Sequence, residues 1–185
     1  MTHQHGETGH ALHLAGPVAV VACLASAAVA LFHLRLLVRA ASHRGQWFLP
    51  AETGHVAVAA GMAVMFAGPL WMTSSALFAA AYLGLALAVL VLLLVHPVCR
   101  IPSLWSSCSM LVVEALAMAY MSGAGGRPVG DLTGWFVVVF AGAGLAAVGG
   151  LLVRRVAPAW AGAAPVAPVG TRLVMYAGMM LMLVY

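Results

Sequence analysis

Six separate stretches of apolar residues constrain this chain more than any other feature. A transmembrane α-helix needs roughly 20 mostly apolar residues to cross the hydrocarbon core of a bilayer, and each stretch is long enough. The loops between them are too short to fold as a second domain. The sequence therefore predicts an all-α membrane protein whose residues 1–185 form one transmembrane domain. The six predicted spans lie near 13–34, 53–72, 75–95, 104–121, 132–153 and 169–185, after a tail of residues 1–12.

Composition supports this interpretation, because 64% of the residues are hydrophobic, only 6% are charged, and the mean hydropathy is +1.07. Soluble domains carry about 25% charged residues, so this chain cannot build a water-soluble surface. The net charge of +4 comes from arginines beside the predicted spans, which indicates anionic lipid and not nucleic acid as the partner.

The arginines also predict an orientation, because basic residues concentrate in cytoplasmic loops. Seven of them flank the loops after spans 1, 3 and 5, and only Arg127 falls in an opposite loop. Both termini are therefore expected outside. The seven are Arg35, Arg39, Arg44, Arg100, Arg154, Arg155 and Arg172.

A repeat of a small residue followed by Met-x-x-Met occurs in spans 2, 4 and 6. It begins at Gly61, Ala117 and Gly178, and every methionine after Met1 lies in these three spans. The repeat predicts three consecutive helical hairpins with equivalent even-numbered helices that run in the same direction.

Residues three, four and seven apart share a helical face, so each repeat places its methionines on one face. If the three faces meet at one axis, the thioethers form stacked layers, with Glu114 about one turn deeper than Met118. The candidate ligands are Met62, Met65, Met118, Met121, Met175, Met179, Met182 and Glu114.

Thioether sulfur is a soft, neutral ligand that favours Cu(I) over Zn or hard cations. The methionine layers therefore predict a copper site. The alternative is that Met is flexible filler at helix interfaces, where Gly and Ala allow close packing. Glu114 is a candidate ligand, proton acceptor or counter-ion to Arg172, or else a neutral hydrogen-bonded carboxyl.

Two sets of histidines extend the hypothesis. His3, His5, His10 and His13 lie in the outward tail and suit Cu(II) capture, although a flexible polar tail explains them equally. His33, His55, His96 and Cys99 lie near cytoplasmic helix ends, where an inner metal site could form, or where they simply bond terminal carbonyls.

Paired imidazoles could instead bind haem, giving a haem or quinone redox protein. No nucleophile–base–acid set or nucleotide fingerprint supports an enzyme.

From Gly54-His55 through Gly61-Met62-Ala63-Val64-Met65, the chain resembles an uncharacterised actinobacterial family of Met- and His-rich membrane proteins, the domain of unknown function 5134. The resemblance implies a bacterial plasma membrane and no particular activity.

The chain is also similar, more loosely, to the trimeric copper transporters, which place a Met-x-x-x-Met pair from each subunit around a threefold axis. Met175 and Met179 fit that spacing, whereas Val58 and Glu114 stand at the positions equivalent to Met175. This similarity concerns the site and not the fold.

The leading hypothesis is a copper-handling membrane protein that holds Cu(I) in methionine layers, for transport or for delivery to a membrane cuproenzyme. The main alternative is a structural or assembly subunit that packs against a larger membrane complex and binds no metal. That alternative predicts methionine faces turned outward to the partner.

Overall fold

The computed structural model describes residues 16–42, 49–68, 70–95, 102–123, 130–156 and 167–184, and within these ranges all regular structure is helical. Side chains are described over 16–39, 51–68, 71–95, 107–123, 131–153 and 169–184. The helices are α1 (Gly16–Ser42), α2 (Leu49–Ala67), α3 (Leu70–Thr73), α4 (Ala76–Val95), α5 (Pro102–Gly123), α6 (Gly130–Val156) and α7 (Ala167–Val184).

Three helices are long and apolar enough to cross a membrane, over Gly16–Arg39 in α1, Ala76–Val95 in α4 and Asp131–Val153 in α6. Shorter apolar segments lie in α2, α5 and α7. The chain therefore has the apolar helical character of a membrane protein, as its sequence predicts.

Consecutive helices pack as pairs, with the most extensive contacts between α1 and α2, α4 and α5, and α6 and α7. The pairs are antiparallel where contacts define their direction: His33, late in α1, meets Glu52 in the first turn of α2. Likewise Gly123, at the end of α5, approaches Ala79 near the start of α4. Helices joined by short connections usually pack against each other, which accounts for these pairs.

The second helices of the three pairs run parallel to one another at the centre. A Cβ atom added at Gly54 of α2 would collide with Leu111 of α5, and one added at Gly61 would lie 2.9 Å from Met118 Cε. Seven residues along α2 thus correspond to seven residues along α5, so the two helices run in the same direction. We call α2, α5 and α7 the inner helices.

The structure divides the predicted span 53–72, which was expected to be one helix. α2 ends at Ala67, and the amide of Gly68 donates to Val64 O at 2.6 Å. Proline follows at position 69 and has no amide hydrogen with which to continue the helical ladder. After the short α3, the Ser75 hydroxyl accepts a hydrogen bond from the Phe78 amide at 3.2 Å and caps α4.

Two other boundaries differ from the sequence-based expectation. α1 continues eight residues beyond the predicted end at position 34, and Arg35 and Arg39 in this extension are exposed. Arg172, counted above with the loop arginines, lies inside α7 and is half-buried. Helix ends therefore do not coincide with the limits of the apolar stretches.

Candidate functional site

Methionines of the inner helices form the centre of the bundle. Met62 of α2, Met118 of α5 and Met179 of α7 are each 1% exposed or less, and they belong to one hydrophobic cluster. Four residues earlier on each helix, Val58, Glu114 and Met175 are equally buried. We call these six residues the methionine core. The predicted inward faces of the three helices are thus present, in two layers one helical turn apart.

The small residue before each methionine lets the helices approach. At Gly61 a Cβ atom would crowd Met118 Cε, and at Gly178 it would collide with Met62 Cε. A methionine of one inner helix therefore fills the space left by a glycine of the next, which is a local reason for the small-Met pairing in the repeat.

The remaining candidate methionines surround this core. Met182 is buried, while Met65 and Met121 are partly buried against the same cluster. Met180 directly follows Met179 and so lies on a different face of α7, yet it also packs partly against the cluster. All seven candidate methionines therefore contact or belong to one cluster.

A group of polar side chains lies toward the beginning of the inner helices. His33 Nδ1 is 2.6 Å from Glu52 Oε2, and the rings of His33 and His55 have centroids 5.0 Å apart. His55 Nε2 lies 3.2 Å from Ser107 Oγ. We call His33, Glu52, His55, Ser107 and Glu114 the polar cluster. It joins α1, α2 and α5.

Glu114 connects the polar cluster with the methionine core. Its side chain is 1% exposed, and its Oε2 lies 3.8 Å from His55 Nδ1. Arg172 of α7 is half-buried. Its role as a counter-ion to Glu114 stays a prediction.

Three buried atoms of the polar cluster have no hydrogen-bond partner: His33 Nε2, His55 Nδ1 and Glu114 Oε2. Buried polar atoms are paired in the great majority of cases, so three unpaired ones in one cluster mark a place where function or bound solvent explains them. The cluster can accept or donate protons at each of these atoms.

The structure brings His33 and His55 together, as the predicted inner site requires. His96 and Cys99 lie outside the described residues, and so do His3, His5, His10 and His13 of the tail. Over the side chains that are described, no group of three or more His, Cys, Asp or Glu residues is arranged to hold a metal ion. That finding concerns these four residue types and not thioethers.

Glu52 and Ser107 are site residues that the sequence reasoning missed. Glu52 precedes His55 by three residues and therefore shares its helical face, so its position was available from spacing alone. Its pairing with His33 follows from the short connection between α1 and α2. Ser107 gave no comparable signal, because it comes from a different hairpin and meets His55 only through tertiary packing.

Comparison with known protein families identifies one match, over residues 48–185, to the family described as "Domain of unknown function (DUF5134)". The match covers most of the chain, including all helices from α2 to α7 and therefore the three inner helices that carry the methionine core. The chain belongs to this family, as the resemblance at Gly54-His55 and Gly61 to Met65 implied. No curated protein and no solved structure matches it.

Proposed function

We propose that this chain is a copper-handling membrane protein that holds Cu(I) in the methionine core, for transport or for delivery to a membrane cuproenzyme. The observation that supports this most is the burial of Met62, Met118 and Met179, one from each of three parallel helices, in a single cluster. Because these thioethers face the same interior, they could serve together as ligands of one ion. A methionine face serving an external partner would instead be exposed.

The chemistry of the surroundings fits a monovalent soft cation. Neutral thioether ligands avoid burying negative charge in an apolar interior, and they favour Cu(I). Glu114 lies one helical turn from Met118 and would supply a single balancing charge when ionised. Partly buried Met65 and Met121 would extend the ligand path to the next layer. Successive weak sites of this kind let an ion move without a deep trap.

In this proposal the chain crosses a bacterial plasma membrane six times with both termini outside. The helices α1, α4, α5, α6 and α7 each make one crossing, and α2 together with α3 makes the second. The tail histidines His3, His5, His10 and His13 would capture copper outside. Imidazole ligands of this kind suit Cu(II).

The second candidate is a structural or assembly subunit without metal. The fit of Met62 against Gly178 and of Met118 against Gly61 favours its packing role without metal, because close packing alone accounts for such contacts. The burial of these methionines does not favour the outward-facing methionines that this alternative predicted. A haem protein is less well supported. With ring centroids 5.0 Å apart, His33 and His55 leave no room for a porphyrin between them.

The test is metal content by elemental mass spectrometry on detergent-purified protein, reduced and loaded with Cu(I) without oxygen. We expect stoichiometric copper in the wild type and its loss when Met62, Met118 and Met179 are all changed to Leu. Leu nearly matches Met in volume, so the fold should persist. X-ray absorption should show a sulfur-rich first shell.

A matched control changes Met72, Met110 and Met180 to Leu, which removes three methionines outside the two core layers. We expect this control to retain copper. Stoichiometric copper in the core variant, or equal loss in both variants, would contradict the proposal. If no variant and no wild-type sample binds copper, the packing role is favoured and co-purification should identify a membrane partner.

A further inference from the structure

Two exposed tryptophans lie at the end of the bundle opposite the polar cluster, where the inner helices α2 and α5 end. Trp71 on the short α3 is 76% exposed, and Trp135 in the second turn of α6 is 68% exposed. Among the side chains that the structure describes, every other exposed large hydrophobic residue is Leu or Val. The exposed aromatic rings are therefore confined to one end of the bundle.

The length of α6 places Trp135 at one boundary of a bilayer. Residues 136–153 after it are all apolar residues or glycine, and Arg154 follows in the same helix. The rise along α6 from Trp135 to Arg154 is roughly 28 Å. The hydrocarbon core of a bilayer is about 30 Å thick. With Arg154 at one surface of the membrane, Trp135 therefore lies at the other.

The length of α4 gives the same result for Trp71. This helix has 20 residues without a charged side chain, and its length of roughly 30 Å matches the hydrocarbon core by itself. α3 precedes α4 and therefore lies beyond the apolar segment, at the membrane surface. Within α3, Thr73 is buried and Met72 is half-buried, so the packing of these neighbours holds the Trp71 ring outward.

Tryptophan suits this boundary because its ring is large and apolar while its indole N–H donates a hydrogen bond. In the hydrocarbon core that N–H would have no acceptor, and in water the ring would lose its apolar contacts. Between the two, oxygens of the glycerol and head groups accept the hydrogen bond while acyl chains cover the ring. Leu and Val have no polar side-chain atom with which to make such a contact.

We propose that Trp71 and Trp135 bind the glycerol and head-group layer of one leaflet, and that α3 lies in this layer as an anchor. The partner is a phospholipid surface, and the two indole rings fix the depth of this end of the bundle. The proposal goes beyond copper handling and depends only on α4 and α6 crossing the membrane. It also gives the break at Gly68 a role, because ending α2 there places α3 at the surface before α4 enters the membrane.

The test measures the depth of each ring by fluorescence quenching, with metal-free, full-length protein in phosphatidylcholine vesicles. The chain has five tryptophans, so each ring is measured in a variant whose other four tryptophans are changed to Phe. The quenchers are phospholipids brominated either near the glycerol or near the chain end. We expect Trp71 and Trp135 to be quenched at least twofold more strongly by the first lipid than by the second.

A matched control moves the reporter to the centre of the same helix. Leu145 is 74% exposed and lies roughly 15 Å from Trp135 along α6. Leu145→Trp, in a variant whose native tryptophans are all Phe, should show the reverse order of quenching. Coinciding depth profiles for Trp135 and this reporter would overturn the proposal, because the Trp135 ring would then lie in the hydrocarbon core.

A second measurement keeps the native tryptophans in place and covers a multiple variant that does not fold. Fluorine-labelled tryptophan gives an NMR signal for each ring, and Trp71→Phe and Trp135→Phe assign two signals by their loss. A spin label on the lipid head group should broaden both signals more than a label at the chain end does. Quenching by aqueous iodide alone would place the rings in water, and quenching by no reagent would indicate a covering protein; either result would contradict the proposal.

Discussion

The inner helices and the outer helices α1, α4 and α6 are both apolar, yet they meet entirely different surroundings. Met118, Ala115 and Leu111 of α5 are fully buried, whereas Leu87 of α4 and Leu145 of α6 are largely exposed. The buried faces of the inner helices carry methionine, glycine and alanine together with His55 and Glu114, while the exposed faces of the outer helices present mainly leucine and valine. Hydrophobicity therefore separates membrane helices from soluble ones, but residue size and polarity separate inner from outer positions.

The outer helices turn only a narrow stripe toward the inner ones. On α1 this stripe holds Ser26, Val29 and His33, and on α6 it holds Phe140. Among the residues of the methionine core and the polar cluster, His33 alone comes from an outer helix. Two kinds of position test this difference between inner and outer helices: a buried residue on an outer helix and a closely packed glycine on an inner helix.

Phe140 is the strongest challenge, because it is fully buried although it lies on an outer helix. Its ring stacks with that of Phe136, with 6.3 Å between the ring centroids, and its centroid lies 6.2 Å from that of Tyr176 on α7. Phe140→Ala should lower the free energy of unfolding by about 3 kcal/mol, because it leaves a cavity between α6 and α7. Reversible unfolding in mixed micelles measures this.

Leu145→Ala on the same helix is the matched control, since Leu145 is 74% exposed. It should change the unfolding free energy by less than about 0.5 kcal/mol. Similar losses for both substitutions would mean that α6 has no preferred face, and the distinction between inner and outer surfaces would fail there.

Glycines on an inner and an outer helix differ in how closely other side chains approach them. A Cβ atom at Gly61 of α2 would collide with the Tyr82 hydroxyl, whereas one at Gly84 of α4 meets nothing within 4 Å. Gly61→Ala should therefore destabilise the protein by about 2 kcal/mol through overpacking. Gly84→Ala should be nearly neutral. Thermal unfolding in detergent distinguishes them, and equal melting temperatures would show that α2 and α4 are not in close contact.

We expect the smallest loss of stability from a substitution at Tyr82. Its hydroxyl donates to Ala57 O at 2.8 Å and fixes α4 against α2. Tyr82→Phe removes this bond and keeps the ring, so we expect a loss of about 1 kcal/mol. In the Gly61→Ala background the same change should cost less, because the hydroxyl no longer fits. A double-mutant cycle in mixed micelles measures this coupling, and additive losses would contradict it.

Much of the arrangement was predictable because the repeat spaces its methionines by helical turns. Met62, Met118 and Met179 lie inside, as their shared face indicated, and Glu114 lies beside them. The division at Gly68 could be suspected from the following proline. Ser107 and Tyr82 could not be placed, because their partners come from other hairpins and the rotation of each hairpin depends on packing between helices.

The parallel course of α2, α5 and α7 also has an electrical consequence. Peptide dipoles add along a helix to the equivalent of about half a positive charge at its N-terminus and half a negative charge at its C-terminus. Three aligned N-termini therefore lie at the polar-cluster end, where Glu52 occupies the first turn of α2. The outer helices run the opposite way but lie farther from the centre. The backbone alone thus gives the bundle axis a polarity, with anions favoured at one end and cations at the other.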